Sequence, residues 1–299
     1  MSTRTPANAK EAASTDEGST DTPKIGPSSG PVVAAVGLVV LAIGLIVNSV
    51  AGPLLIDDID YPTSDSMRNQ TIGLDAAALF LFAPACLVTA VMVWRGHRLA
   101  PMLTVSLGSY TAYIFVQYLV GPEFGYYPAT LLLHLGLFIG GWTLAVYAWH
   151  TGREIYNETE ATLSPRHAIA AAAIAGFVLL RYLPGLAASL TQKSLPAEAS
   201  GDITMYWLIV VSDLGVFIPI MVATAIGVRY RAPWGRMALT ATAGWFALVS
   251  FAVAVMSLAM ILNDDSYASR AQLGLFIIIT AMATGYAIHL HRALFDQTR

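Results

Sequence analysis

Eight apolar stretches, each long enough to cross the hydrocarbon core of a bilayer, dominate this chain. They run approximately over Pro31–Leu54, Gly73–Trp94, Pro101–Val120, Ala129–His150, His167–Leu190, Thr204–Val228, Met237–Leu262 and Ala271–His291. A spanning helix needs about 20 mostly apolar residues. In lipid every backbone polar group must be satisfied internally, so only helices and closed strand barrels can span. The short alternating segments of a barrel are not present in this sequence. The expectation is an all-α polytopic membrane bundle of about eight helices. Composition supports it, with 12% charged residues where soluble domains have roughly 25%.

Residues 1–30 are rich in Ser, Thr, Pro, Gly and acidic side chains, and poor in large apolar ones. Such a segment cannot bury enough surface to offset its ordering entropy, so a disordered cytoplasmic tail is expected there. It is too long and polar, and the run after it too extended, for a cleaved signal peptide. Residues 31–292 form the transmembrane domain and 293–299 a cytoplasmic C-terminal end. A net charge of −3 without a dense basic run gives no reason to expect nucleic-acid binding. Cys86 is the sole cysteine, so neither an intrachain disulfide nor a Cys-based metal site can form.

Orientation follows from the distribution of cations, which favour the cytoplasmic side. With the N-terminus inside, the inner segments carry Arg4, Lys10, Lys24, Arg95, Arg98, Arg153, Arg166, Arg229, Arg231, Arg236, Arg292 and Arg299, and the outer loops carry Arg68, Lys193 and Arg270. The outer loops also hold Asp57, Asp58, Asp60, Asp65, Asp264 and Asp265. This predicts a multipass inner-membrane protein with both termini cytoplasmic. The longest loops are Leu55–Ile72 outside and Thr151–Arg166 inside, the latter with room for a short surface helix.

The second and sixth spans resemble each other. Each carries an Asp (Asp75, Asp213) and an internal proline (Pro84, Pro219), and each ends in a basic turn to the next helix. Both run in the same direction, so four spans plus four would make a parallel repeat of the kind some transporters have. The alternative is chance, since basic turns and prolines are common in such bundles. The elements Asp213-Leu-Gly-x-x-x-Pro219, Arg229 to Trp234-Gly235, and Arg95-Gly96…Leu107-Gly108…Tyr113 resemble an uncharacterised family of multipass bacterial membrane proteins over roughly residues 75–256. That resemblance implies the fold and a bacterial origin. It brings no assigned activity and no catalytic or binding residue.

Two opposite charges lie within spans: Arg181 and Asp213. Such groups are costly in a membrane and usually have a partner, a water-filled cavity or a function. Arg181 lies nine residues before Leu190 and Asp213 nine residues after Thr204, which puts both about 13 Å below the outer boundary at 1.5 Å per residue. Consecutive antiparallel helices are usually neighbours, so an Arg181–Asp213 ion pair is expected. The pair has three readings: a structural bridge, a ligand-binding or gating element, or an Arg181 that points outward with no tight partner. Asn48, Asp75, Gln117, Glu123 and His134 fall in the same outer half, and Tyr110, Tyr113 and Gln117 share one face of the third span by helical spacing. The candidate pocket is therefore Arg181, Asp213, Asp75, Gln117, His134 and Tyr113. Tyr118, Tyr126, Tyr127, Tyr206 and Trp207 suit an interfacial aromatic belt better. Pro84, Pro184 and Pro219 should kink their helices, and Gly136-x-x-x-Gly140 suits close helix packing.

No His-Glu-x-x-His, Gly-x-Ser-x-Gly or Walker loop occurs. His134 is the one histidine in the outer half, so a bis-histidine haem there is excluded, and no cofactor or metal is expected. Three functions stay open. The first is binding or transport of a small anionic or cationic ligand through an outward polar pocket. The second is a structural or accessory subunit with no ligand. The third is an intramembrane enzyme using Asp75, Glu123 or His134. The lipid bilayer is the one partner the sequence implies directly.

Overall fold

A computed structural model of the chain describes residues 30–123, 125, 127–157, 163–192 and 201–295. The expected N-terminal tail, Tyr126, Lys193 and the C-terminal end from 296 onward lie outside the described residues. The chain forms α1 (Gly30–Ala51), α2 (Asp65–Ala77), a π turn (Ala78–Phe82), α3 (Ala83–Trp94), α4 (Ala100–Val120), α5 (Pro128–Asn157), α6 (Arg166–Gln192), α7 (Ile203–Ser212), a second π turn (Asp213–Phe217), α8 (Ile218–Arg229), α9 (Pro233–Leu262) and α10 (Arg270–Phe295). With α2–α3 and α7–α8 each continuous through its π turn, eight helices are long and apolar enough to cross a membrane. This is an all-α polytopic bundle.

Two boundaries differ most from the sequence expectation. The first two turns of α2, from Asp65, lie in the stretch Leu55–Ile72 expected to be loop. Ser64 caps them by accepting a hydrogen bond from the Met67 N–H. The helix α5 runs through Thr151 to Asn157 because nothing between His150 and Asn157 breaks it, and the short surface helix expected there is its continuation. The bundle has one end rich in Asp57, Asp58, Asp60, Asp264 and Asp265, and another rich in Arg95, Arg98, Arg153, Arg229 and Arg231. These are called the acidic and basic ends below.

The least apolar span, α4, is the most enclosed. That inverts the soluble pattern for a physical reason. Lipid solvates Val and Ile on the outside, as along α1 at Val33, Val36, Val40 and Ile43, while hydroxyl side chains are kept within. Thr104, Ser106 and Thr111 donate to carbonyls one turn back in α4, and Ser106 also donates to the Ala241 carbonyl of α9 at 3.0 Å. Close backbone approach fixes α4 between its neighbours. At the crossing with α5, a Cβ on Gly108 would come 2.5 Å from the Gly141 carbonyl oxygen. At the crossing with α9, Gly244 faces Ser106.

The arrangement repeats. Helix α1 packs on α3 as α6 packs on α8, α4 packs on α5 as α9 packs on α10, and α4 meets α9 at the centre. Each half also sends its acidic-end segment across to the other: α2 packs on α9, and α7 on α4. The glycine pair expected to mediate packing does so in part, with Gly140 in ordinary contact with Leu41 of α1. Gly136 has open space where a side chain would be, and with Gly140 it lines an apolar groove of about 500 Å3 between α1 and α5.

Candidate functional site

The two spans carrying the aspartates share a construction that the sequence hinted at only through their prolines. In each, five residues form a π turn closed by a bond from the next N–H to the carbonyl five residues back: Ala83 to Ala78, and Ile218 to Asp213. A 12-residue α-helix follows, with proline as its second residue, Pro84 or Pro219. Proline cannot donate and clashes with the carbonyl four residues earlier. Placing it directly after a widened turn puts the missing bond where the regular ladder is already interrupted. π turns inside helices occur frequently at functional sites. Each turn ends in an aromatic ring directed at the centre. Phe82 lies 4.3 Å from the Tyr110 ring of α4, and Phe217 stacks 4.6 Å from Trp245 of α9. Pro184 has no such turn; it sits inside α6.

Asp75 sits three residues before the first π turn and is 1% exposed. Its Oδ1 accepts from the Asn48 amide nitrogen of α1 at 3.1 Å. The Asn48 Oδ1 lies 2.8 Å from Nε2 of His134 on α5, and the Tyr61 hydroxyl lies 3.3 Å from the same nitrogen. The Tyr118 hydroxyl stands beside the carboxyl from α4. Gly52 makes the fit possible: any side chain there would collide with Oδ2 of Asp75. The result is a polar file from the loop after α1 inward, Tyr61, His134, Asn48, Asp75, walled by the Tyr61, Tyr118 and Phe115 rings.

Asp213 begins the second π turn and has different neighbours. Its two oxygens accept one bond each, from the Tyr113 hydroxyl of α4 and the Tyr182 hydroxyl of α6, both at 2.6 Å. That length is typical of charge-assisted O–H···O bonds. Trp245 meets Tyr113 edge-on at 5.1 Å and Phe217 face-on, so the carboxyl is held among aromatic rings.

The expected Arg181–Asp213 ion pair does not form. The side chain of Arg181 is exposed on the outside of the bundle, its guanidinium 5.5 Å from the Tyr182 ring and 6.0 Å from Phe276 of α10. The adjacent Tyr182 is the residue that reaches Asp213. Neighbouring residues on a helix point about 100° apart, and here that turns the cation outward and the phenol inward. Of the three readings, the outward Arg181 is the one observed.

The remaining expected residues divide between two clusters instead of forming one pocket. His134 joins Asp75, and Tyr113 joins Asp213. Gln117 is buried in α4 beside a cleft of about 30 Å3 near Tyr61, Thr63 and Met205. Glu123 lies outside both, accepting from Thr204 at 2.6 Å. Tyr118, assigned to the aromatic belt, is buried, whereas Tyr127 and Trp207 are exposed as a belt requires. Both clusters lean on α4, where Tyr113 and Tyr118 are about 7.5 Å apart along the axis at 1.5 Å per residue. Tyr61 and Tyr182 were not anticipated: a phenol next to a charged residue, or in a loop, carries no signal of its own. Cys86 is in the core. Among the described residues, no group of three or more His, Cys, Asp and Glu is placed to hold a metal.

No family model matches this chain, and no curated protein or solved structure matches it either.

Proposed function

We propose that this chain binds and moves a small cationic solute across a bacterial inner membrane, with proton or cation binding at two buried carboxyl groups. In this reading the acidic end faces outward and both termini are cytoplasmic, as the positive-inside rule indicates. The observation that carries the reading is that Asp75 and Asp213 are both buried within span-length apolar helices and neither has an ion-pair partner among the described residues. An uncompensated buried charge is strongly unfavourable. Hydrogen bonds offset part of that cost; a proton or a bound cation would offset the rest, and intramembrane carboxyl groups of this kind mark proton relays and ion paths. Placement of each beside a π turn, in two similarly built halves, fits the parallel repeats of transporters. With Arg181 facing outward, the anionic-ligand alternative loses its cation.

The test is electrical. Proteoliposomes on a solid support are exposed to jumps in pH and to a panel of small amines and alkali cations. The expected result is a transient current that Asp213→Asn and Asp75→Asn each remove while the variants remain folded. Wild-type protein that is folded and gives no current with any probe would overturn the proposal. One observation favours the second reading, a structural or accessory subunit. The cleft near Gln117 holds about 30 Å3, space for only two or three waters at roughly 10–15 Å3 each, and a silent wild type would support that reading.

A further inference from the structure

We propose that Asn48 couples proton binding at Asp75 to the tautomer of His134, making the Asp75 cluster the proton-loading site of the carrier. The inference rests on the transport reading above and assigns the two carboxyl groups different tasks.

The argument is one of donors and acceptors. An ionised carboxylate only accepts, an amide has one accepting and one donating end, and a neutral imidazole has one nitrogen of each kind. Asn48 turns its NH2 to Asp75, 3.1 Å away, so its carbonyl oxygen faces His134 Nε2 at 2.8 Å. That nitrogen must then carry the ring proton and donate it. Once Asp75 takes up a proton, its carboxyl becomes a donor toward Asn48. The amide turns over, presenting its oxygen to the acid and its NH2 to His134. Nε2 must now accept, so the neutral ring carries its proton on Nδ1. At equilibrium two protons are taken up from the medium, by Asp75 and Nδ1, and one is given up to it from Nε2, the nitrogen 3.3 Å from the Tyr61 hydroxyl. The net gain is one proton, on Asp75.

The surroundings offer few competing titratable groups. Tyr61 sits in the loop after α1, its ring 6.0 Å from His134 and 5.5 Å from Tyr118, which connects the file to the acidic end. The titratable groups facing Asp75 are His134 from α5, Tyr118 from α4 and Tyr61 from the loop. Tyr110 lies next to Tyr118. On the remaining side α9 meets α2 through the Met256 backbone at Gly73. Asp213 has no amide or imidazole in its hydrogen bonds, only two phenols, so no equivalent tautomer relay exists there.

The test needs no substrate. The chain has six histidines, so nitrogen NMR of full-length, histidine-labelled protein in nanodiscs can resolve His134, assigned by its loss in His134→Gln. Protonation of Asp75 is followed in parallel by the infrared carboxyl band that Asp75→Asn removes. The expected result is a protonated Nε2 while Asp75 is ionised and a protonated Nδ1 once it is not, with the exchange lost in Asn48→Leu. Should that variant fail to fold, the wild-type titration alone decides. The same tautomer on both sides of the Asp75 transition overturns the inference and leaves the transport reading standing. An Asp75 band that responds at no pH where the protein is folded overturns both.

Discussion

The two halves of this protein are built alike and furnished differently. Each has a spanning segment interrupted by a five-residue π turn that ends in an inward Phe, followed by a 12-residue helix with proline as its second residue. Yet Asp75 lies nine residues before its proline and Asp213 six, almost a helical turn apart in register. The first half joins its carboxyl to an amide that in turn meets an imidazole, with the Tyr118 phenol alongside; the second holds its carboxyl with two phenols beside an indole. A repeated scaffold thus fixes where a buried carboxyl sits, while a few side chains on α1, α4, α5 and α6 decide what it can exchange hydrogen bonds with.

That contrast can be tested in order of expected effect. Asp75→Asn and Asp213→Asn should each lower solute-driven current about 100-fold, corresponding to loss of a charged interaction of about 3 kcal/mol. A variant in which one aspartate is dispensable would mean that only one half is functional. Tyr182→Phe should come next, since it leaves Asp213 with one of its two donors. A hydrogen bond to a charged group is worth about 1.5–3 kcal/mol, read as a lower Tm in detergent. Gly108→Val should cost about 1–3 kcal/mol by overpacking the α4–α5 crossing, whereas Gly136→Val, facing open space, should leave Tm nearly unchanged. Arg181→Gln should cost only about 0.5–1 kcal/mol, the size of an exposed cation–π contact, and exchanging charges between Arg181 and Asp213 should rescue nothing.

The smallest effect concerns a tie between the halves at the acidic end. Asp265, in the turn after α9, accepts from the Asn69 amide of α2 at 2.9 Å and from the Tyr267 N–H at 2.8 Å. Burial pushes its carboxyl up, but these bonds and one from Ser66 outweigh it and hold the group below the usual carboxylate range. A carboxyl so lowered stabilises the fold above its unfolded value of about 3.9, and that contribution is lost as pH falls through the lower folded value. Asn69→Ala should therefore lower Tm slightly near neutral pH, with the difference from wild type shrinking as the medium is acidified through that range.

Sequence reading succeeded where one dimension suffices. Span positions and their number follow from apolar length, and the structure places the spans within a few residues except at the starts of α2 and α9 and the ends of α5 and α10. It failed where the answer depends on rotation about a helix axis. Arg181 and Tyr182 share a depth, and only packing against α8 and α10 decides which one faces Asp213. The π turns leave no pattern beyond Pro84 and Pro219, because inserting one residue into a turn changes no apolar period that can be read in so short a stretch. Tyr118 was assigned to the membrane interface by residue type, but the loop carrying Tyr61 folds over it and buries it. Asn48 and His134 were both visible as polar residues near the acidic end; the link from His134 through Asn48 to Asp75 was not.

The central claim is that both buried carboxyl groups are chargeable sites independent of Arg181. The most direct measurement is an infrared titration of the reconstituted protein, following the carboxyl bands through changes of pH and of cation. The account predicts two responsive bands, one removed by Asp75→Asn and the other by Asp213→Asn, both persisting in Arg181→Gln. A single band, or an Asp213 band abolished by Arg181→Gln, would contradict it.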